Sequence, residues 1–196
     1  MTGSPLSDAG IFLVNTVFGL YILLVALRFL LQCVRADFYN PISQFLVTFT
    51  NPPLRILRRF IPGFAGIDWP SLLLMLALQS LELVITGLLG PGQIPALPGL
   101  LVLSIAALLK LFIYIFFFAI FIRIIISWVN PGAYNPMTVI LHRLTDPLLL
   151  PARRLIPPIS GLDLSPMVVI VALQLMIILF IKPLTYLGYS LSGYLF

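Results

Sequence analysis

The sequence predicts an all-α membrane protein: four transmembrane helices arranged as two tandem parallel repeats, each carrying an amphipathic, interfacial helical linker. Three observations lead there. Of 196 residues, 61% are hydrophobic and 9% charged, with a mean hydropathy of +1.14. A typical soluble domain has about 45–50% apolar and about 25% charged residues, so a soluble fold of this size lacks the polar surface to cover its apolar mass, and a disordered chain is excluded on the same ground. The second observation is four apolar stretches long enough to cross a bilayer. The third is that the chain matches itself without a gap when slid by 95 residues.

The first span is expected at 11–31. Its 21 residues make about 31 Å of helix, against a hydrocarbon core of about 30 Å. The preceding residues lack a basic stretch and carry Asp8, unlike a cleaved signal, so this span is expected to stay in the protein. The second span is expected at 72–89, the third at 100–126 and the fourth at 166–184. Residues 90–99 are too rich in Pro and Gly to continue a helix and form an uncharged loop between spans two and three. Linkers 32–70 and 127–165 complete the repeats, which divide the chain into 1–95 and 96–196.

All nine arginines fall in the linkers or at their mouths, while the 90–99 loop has no charge. The excess of positive charge in short loops marks the cytoplasmic side. Both linkers are therefore expected in the cytoplasm and both termini on the opposite side, in a multi-pass protein of the bacterial inner membrane. The net charge of +5 is an orientation signal here; no separate domain offers a nucleic-acid surface.

In the self-match, Arg28 falls on Arg123 and Tyr39-Asn40-Pro41 on Tyr134-Asn135-Pro136. Thr50 and Pro52 fall on Thr145 and Pro147, and Leu54 on Leu149. Arg58-Arg59 falls on Arg153-Arg154, and Ile61-Pro62 on Ile156-Pro157. Gly66 and Asp68 fall on Gly161 and Asp163, and Ala77-Leu78-Gln79 on Ala172-Leu173-Gln174. Each unit holds two spans, so the copies share an orientation and a pseudo-twofold axis along the membrane normal is expected.

Asn before Pro is an N-cap followed by the first helical position. Asn40-Pro41 and Asn135-Pro136 use that device, and Asn51-Pro52 and Asp146-Pro147 repeat it about ten residues later. Each linker is thus expected to hold two short helices joined by a sharp break. Ile42, Phe45, Leu46 and Phe49 share one helical face. Leu54, Leu57 and Ile61 oppose Arg55, Arg58 and Arg59, a pattern suited to the membrane interface. Asp68 and Asp163 are expected to cap the spans that follow.

This doubled linker motif resembles the YggT family of bacterial and plastid membrane proteins, to which the YlmG proteins belong. The resemblance covers essentially the whole chain. It implies a small integral protein of the bacterial inner membrane or thylakoid, without an established enzymatic activity. It also implies association with osmotic stress and ion homeostasis, with division, or in plastids with haem attachment to a b-type cytochrome. One departure is Trp69-Pro70-Ser71, where the second copy has Leu164-Ser165-Pro166.

Polar groups within spans are costly and mark candidate chemistry. They are Asn15, Gln79, Glu82, Lys110 and Gln174. Glu82 and Lys110 fall at overlapping depths on neighbouring spans, so a pair between the repeats is expected. It would act as structural glue or, in an alternative reading, as part of a monovalent-cation permease or channel. Arg55, Arg58, Arg59, Arg153 and Arg154 are expected to anchor the linkers and to bind anionic phospholipid headgroups or an acidic partner segment. Arg28 and Arg123 can snorkel, with Asp37, Asp68 and Asp163 as alternative partners. A homo-oligomer or a larger membrane complex is the expected setting.

His142 has Val47 as its counterpart, which excludes a symmetric bis-histidine haem site. Cys33 is the single cysteine and is expected to be buried. No phosphate loop, zinc-protease or serine-nucleophile motif occurs. No catalytic residue, cofactor or metal site is expected, and the function expected is that of a non-enzymatic accessory or scaffold factor.

Overall fold

The computed structural model describes residues 4–64, 66–130, 132, 134–156 and 163–193. Seven α-helices follow one another among them: α1 (Pro5–Cys33), α2 (Pro41–Phe60), α3 (Trp69–Leu89), α4 (Leu97–Val129), α5 (Pro136–Leu155), α6 (Ser165–Met176) and α7 (Lys182–Leu191). A π-helical turn, Ile177–Ile181, joins the last two. Four units are long and apolar enough to cross a membrane: α1, α3, α4 and the composite Ser165–Leu191. All extend beyond the stretches read from hydropathy, because interfacial turns of a helix need not be apolar. At 33 residues α4 is about 50 Å long, so it tilts in or overhangs a core of about 30 Å.

Within each copy the two spans pack together and the linker helix lies across one end. The repeat is visible in the core. Leu54 and Leu149 are both fully buried, as are Thr50 and Thr145, while Leu46 and Leu141 are nearly so. One apolar cluster joins Ile22, Val25 and Ala26 of α1 to Leu74 and Met75 of α3 and Leu108, Ile115 and Ala119 of α4. A second gathers Ile113 and Ile120 of α4, Leu149 of α5, and Val169, Leu173, Ile177 and Ile181 of the last span.

Asn40 Nδ2 donates to the Pro136 carbonyl at 2.8 Å, so both linker helices meet at one end of the bundle. At the other end the Ala96 N–H donates to the Ser192 carbonyl at 2.9 Å. An inverted repeat would put the linkers at opposite ends; here the copies run in the same sense. Between spans two and three, Ser80 and Ser104 hydroxyls lie 2.9 Å apart, a hydrogen bond across α3 and α4.

Each linker holds one 20-residue helix rather than two short ones with a break. The prolines withhold N–H groups, at a cost of about 3 kcal/mol in an ordinary helix interior. Packing and side-chain bonds offset that cost. The Phe49 carbonyl, which Pro53 cannot serve, accepts the Tyr21 hydroxyl at 3.4 Å. Thr50 and Asn51 are held from α1, and Thr145 and Asp146 from α4, directly beside the prolines. Leu54 and Leu149 pin the next turn.

The buried face of α2 is Ser43, Leu46, Thr50 and Leu54. Phe45 and Phe49, expected on the same stripe as Leu46, are exposed and stack on each other at 4.6 Å. Cys33 is exposed rather than buried: it ends α1 at the linker side, beyond the packed part of the bundle.

Candidate functional site

The linker end carries the most charged chemistry of the described residues. Asn40 caps α2 by accepting the Ile42 N–H at 2.9 Å. Asn135 caps α5 in a reciprocal box with Thr138, each side chain bonding the other's backbone N–H at 2.9–3.0 Å. These caps start helices whose basic residues then meet the spans. Pro41 and Pro136 occupy the first helical position, while Pro52 and Pro147 lie inside the helices.

Arg28, 8% exposed in α1, donates to Thr50 Oγ1 at 2.8 Å and to Asn51 Oδ1 at 3.3 Å. Arg123 in α4 does the same in the second copy, to Thr145 Oγ1 at 2.6 Å and Asp146 Oδ1 at 2.7 Å. The Thr hydroxyls in turn donate hydrogen bonds to the Leu46 and Leu141 carbonyls. Neither arginine pairs with Asp37, Asp68 or Asp163. Asn51 and Asp146 are not N-caps of a second helix; both accept from an arginine.

A second clamp is also duplicated. Arg58 donates to Asp68 Oδ2, which accepts Ser71 Oγ at 2.7 Å as well. Arg153 bonds Asp163 Oδ2 at 2.8 Å. Asp68 is 3% exposed and makes no cap bond to α3, so its carboxylate serves the clamp rather than the helix terminus. Asp163 accepts the Ser165 N–H at 3.0 Å. Burial pushes its carboxyl up, but bonds from Ser165 and Arg153 outweigh that and hold it below its ordinary value. His142 is exposed on α5. Partial desolvation, followed by Arg123 and Arg153, pushes its imidazole below the ordinary value despite Asp146.

Arg58 and Arg153 are thus engaged inside the chain, whereas Arg55, Arg59 and Arg154 are exposed. On α2, Phe45, Phe49, Ile56 and Phe60 are exposed as well, so the helix shows an apolar surface away from the bundle beside its basic one. Gly66, at φ 77°, closes the Phe64–Ile67 turn that leads from Pro62 to Asp68. Pro157 and Gly161 lie outside the described residues.

The expected Glu82–Lys110 ion pair is not formed. Glu82 lies three residues after Gln79 on α3, one helical turn along the same face, and its Oε2 accepts Gln79 Nε2 at 2.9 Å. Lys110 Nζ lies 5.8 Å from the Tyr114 ring centroid. Both side chains nonetheless border one cavity of about 250 Å³ with Gly19, Gln79 and Tyr114. Asn15 and Gln174 are exposed on their spans. Thr50, Thr145 and the Ser80–Ser104 pair are not among the polar residues expected to carry chemistry. The first two carry a signal in the sequence, their matched positions in the repeat. The serines have none, since their counterparts are Leu175 and Ala9.

Fold and site together define a class: a four-span, tandem-repeat membrane protein whose interfacial helices are clamped to the spans by arginines. The chain belongs to the CCB3/YggT family, whose model matches residues 7–89 and 102–184. An uncharacterized protein of Pseudomonas aeruginosa is 48% identical over 180 residues, 91% of each chain. The uncharacterized protein YggT of Escherichia coli K12 is 37% identical over 162 residues, covering 83% of this chain and 84% of that one. The uncharacterized protein ycf19 of Porphyra purpurea is 35% identical over 85 residues, 43% of this chain but 88% of its own length. It is therefore about the size of one repeat. No solved structure matches.

Proposed function

We propose that this protein is a non-enzymatic scaffold of the bacterial inner membrane that presents two basic interfacial helices to anionic phospholipid. Its role would lie in membrane homeostasis, in osmotic stress, ion homeostasis or division-related assembly. In this reading the linkers face the cytoplasm and both termini the outer side, as the arginine distribution favours. The observation that carries the reading is the division of labour among the arginines. Arg58 and Arg153 lock each helix to the next span, leaving Arg55, Arg59 and Arg154 exposed beside an apolar surface. Each basic residue near an anionic surface contributes about 1 kcal/mol.

The test is the lipid selectivity of the reconstituted protein, read with spin-labelled phosphatidylglycerol against phosphatidylcholine. The wild type should prefer the anionic lipid, less so at high salt. The Arg55→Gln/Arg59→Gln/Arg154→Gln variant should lose most of the preference. Equal selectivity in the two proteins rejects the reading.

The cavity that Gln79, Glu82 and Lys110 share favours a second reading, a component of a monovalent-cation permease or channel. Four spans enclose no wide pore alone, so this reading needs a homo-oligomer or a larger complex. Cation flux into liposomes that disappears with Glu82→Gln would support it; equal flux in the two proteins would reject it.

A further inference from the structure

The two repeats build the same cavity twice and balance its charge differently. The first, about 540 Å³, is bordered by Arg28, Arg35, Ser43, Arg58 and Asp68. The second, about 130 Å³, is bordered by Arg123, Asn130, Thr138 and Arg153, the residues 95 positions on from Arg28, Arg35, Ser43 and Arg58, and an adjoining space of about 400 Å³ touches Arg123, Arg153 and Asp163. In the second cavity each arginine has its own carboxylate, Asp146 for Arg123 and Asp163 for Arg153. In the first, three arginines border the cavity with one carboxylate, Asp68, which Arg58 already holds. Asn51 stands where the second copy has Asp146, so the buried Arg28 has neutral hydrogen-bond partners only.

A hydroxyl shows the same difference. Thr138 Oγ1 is satisfied by its exchange with the Asn135 backbone. Ser43 Oγ, in a residue 7% exposed, has no hydrogen-bond partner among the described residues. Buried polar groups are ordinarily hydrogen-bonded, and a buried guanidinium ordinarily has an anion. The first-repeat cavity therefore lacks one acceptor carrying negative charge. The donors that border it, arginine N–H groups and a hydroxyl, are the set that recognises phosphate oxygens.

We propose that the first-repeat cavity binds a phosphate group, held by Arg28, Arg35 and Arg58 with the Ser43 hydroxyl as a further donor. The second-repeat cavity, neutralised from within, does not. The phosphate can come from a phospholipid headgroup, since the cavity lies at the linker end of α1, or from a soluble phosphate. This inference does not depend on the scaffold reading, whose arginines Arg55 and Arg59 do not border the cavity.

The test measures the thermal midpoint of the full chain in uncharged maltoside micelles, with phosphatidylglycerol added in one arm and inorganic phosphate in the other. A rise with the lipid alone identifies a headgroup site, and a rise with inorganic phosphate identifies a soluble ligand. Arg35 makes no ion pair among the described residues, so Arg35→Gln should fold and weaken half-saturation about tenfold. Asn51→Asp gives Arg28 the counter-ion its repeat-mate has. It should raise the midpoint without ligand and shrink the response to it. The Arg55→Gln/Arg59→Gln variant should respond as the wild type does. No response to either probe, or a response unchanged in Arg35→Gln and Asn51→Asp, overturns the proposal. A response lost in Arg55→Gln/Arg59→Gln but kept in Arg35→Gln also overturns it, while leaving the scaffold reading standing.

Discussion

Arg123 Nη1 lies 2.7 Å from Asp146 Oδ1, tying α4 to α5 beside the proline that would otherwise break α5. The arginine side chain is 12% exposed and the aspartate 37%, so the pair is partly screened. Removing the aspartate leaves a nearly buried guanidinium with only Thr145. Asp146→Ala should destabilise by about 1.5–3 kcal/mol, the range for a lost hydrogen bond to a charged group. Denaturation in mild detergent, compared with Asn51→Ala, checks this; the first-copy variant should lose less, because a neutral partner is removed.

The Arg58–Asp68 clamp is the more deeply buried of the second pair of clamps, with Asp68 3% exposed against 31% for Asp163. Asp68→Ala should cost about 1–3 kcal/mol, the range for leaving a buried group without its hydrogen-bond partner, because the Ser71 hydroxyl loses its acceptor while the 36% exposed Arg58 can rehydrate. Asp163→Ala should cost less. The double variant Arg58→Leu/Asp68→Leu should recover part of the loss, since no unpaired charge remains. Unfolding midpoints of the three proteins decide the order.

Stability should fall as the medium is acidified, in two windows. The folded-state values of His142 and Asp163 are both lowered, so the unfolded chain binds more protons than the folded one. The His142 contribution is complete above its ordinary value of 6.5 and is lost as pH drops from there through the lowered value. The Asp163 contribution is complete above 3.8 and is lost as pH falls through its own lowered value. Replacing His142 with Val, its counterpart at position 47, should flatten the upper window and leave the lower one intact.

Gly99 is required by a backbone contact. A Cβ there would stand 2.4 Å from Ser192 Cα and N, and backbone cannot swing aside as a side chain can. Gly99→Ala should destabilise by at least the 1–3 kcal/mol or so typical of overpacking, by prising α7 from the start of α4. Gly19 has nothing within 4 Å of the same position, so Gly19→Ala should be neutral or gain up to about 1 kcal/mol of helix propensity. Opposite signs in a thermal melt are the expected result.

The Ser80–Ser104 bond should contribute weakly despite its burial. Interhelical hydrogen bonds in membranes average about 0.6 kcal/mol, because the separated helices find other partners. Ser104→Ala should therefore lower stability by less than about 1 kcal/mol. A loss well above that would mean that the close approach of α3 and α4, rather than the bond, is sensitive here.

The four spans and the duplicated architecture were legible in the sequence. Apolar runs answer to the bilayer alone, and a repeat declares itself by identity. Arg28 and Arg123 were visible as a matched pair, but their partners were not. The eye looks for carboxylates, and the structure supplies Thr50 and Asn51 in one copy and Thr145 and Asp146 in the other. Glu82 and Lys110 border one cavity, yet an expected shared depth along two helices does not fix rotation about them. Gln79, one turn away, takes the carboxylate instead.

The amino-acid sequence by itself determined that the chain crosses a membrane four times, that it does so in two equivalent units, and that its positive charge gathers on one side. These follow from transfer free energies and periodicity, which each segment carries locally. The tertiary structure decided that the proline-bearing linkers remain single helices, and which of three aspartates, two threonines and one asparagine meet which arginines. It also decided that one copy keeps an uncompensated positive cavity. Those outcomes depend on side chains brought together from positions 10 to 28 residues apart, and only the packed helices fix their distances.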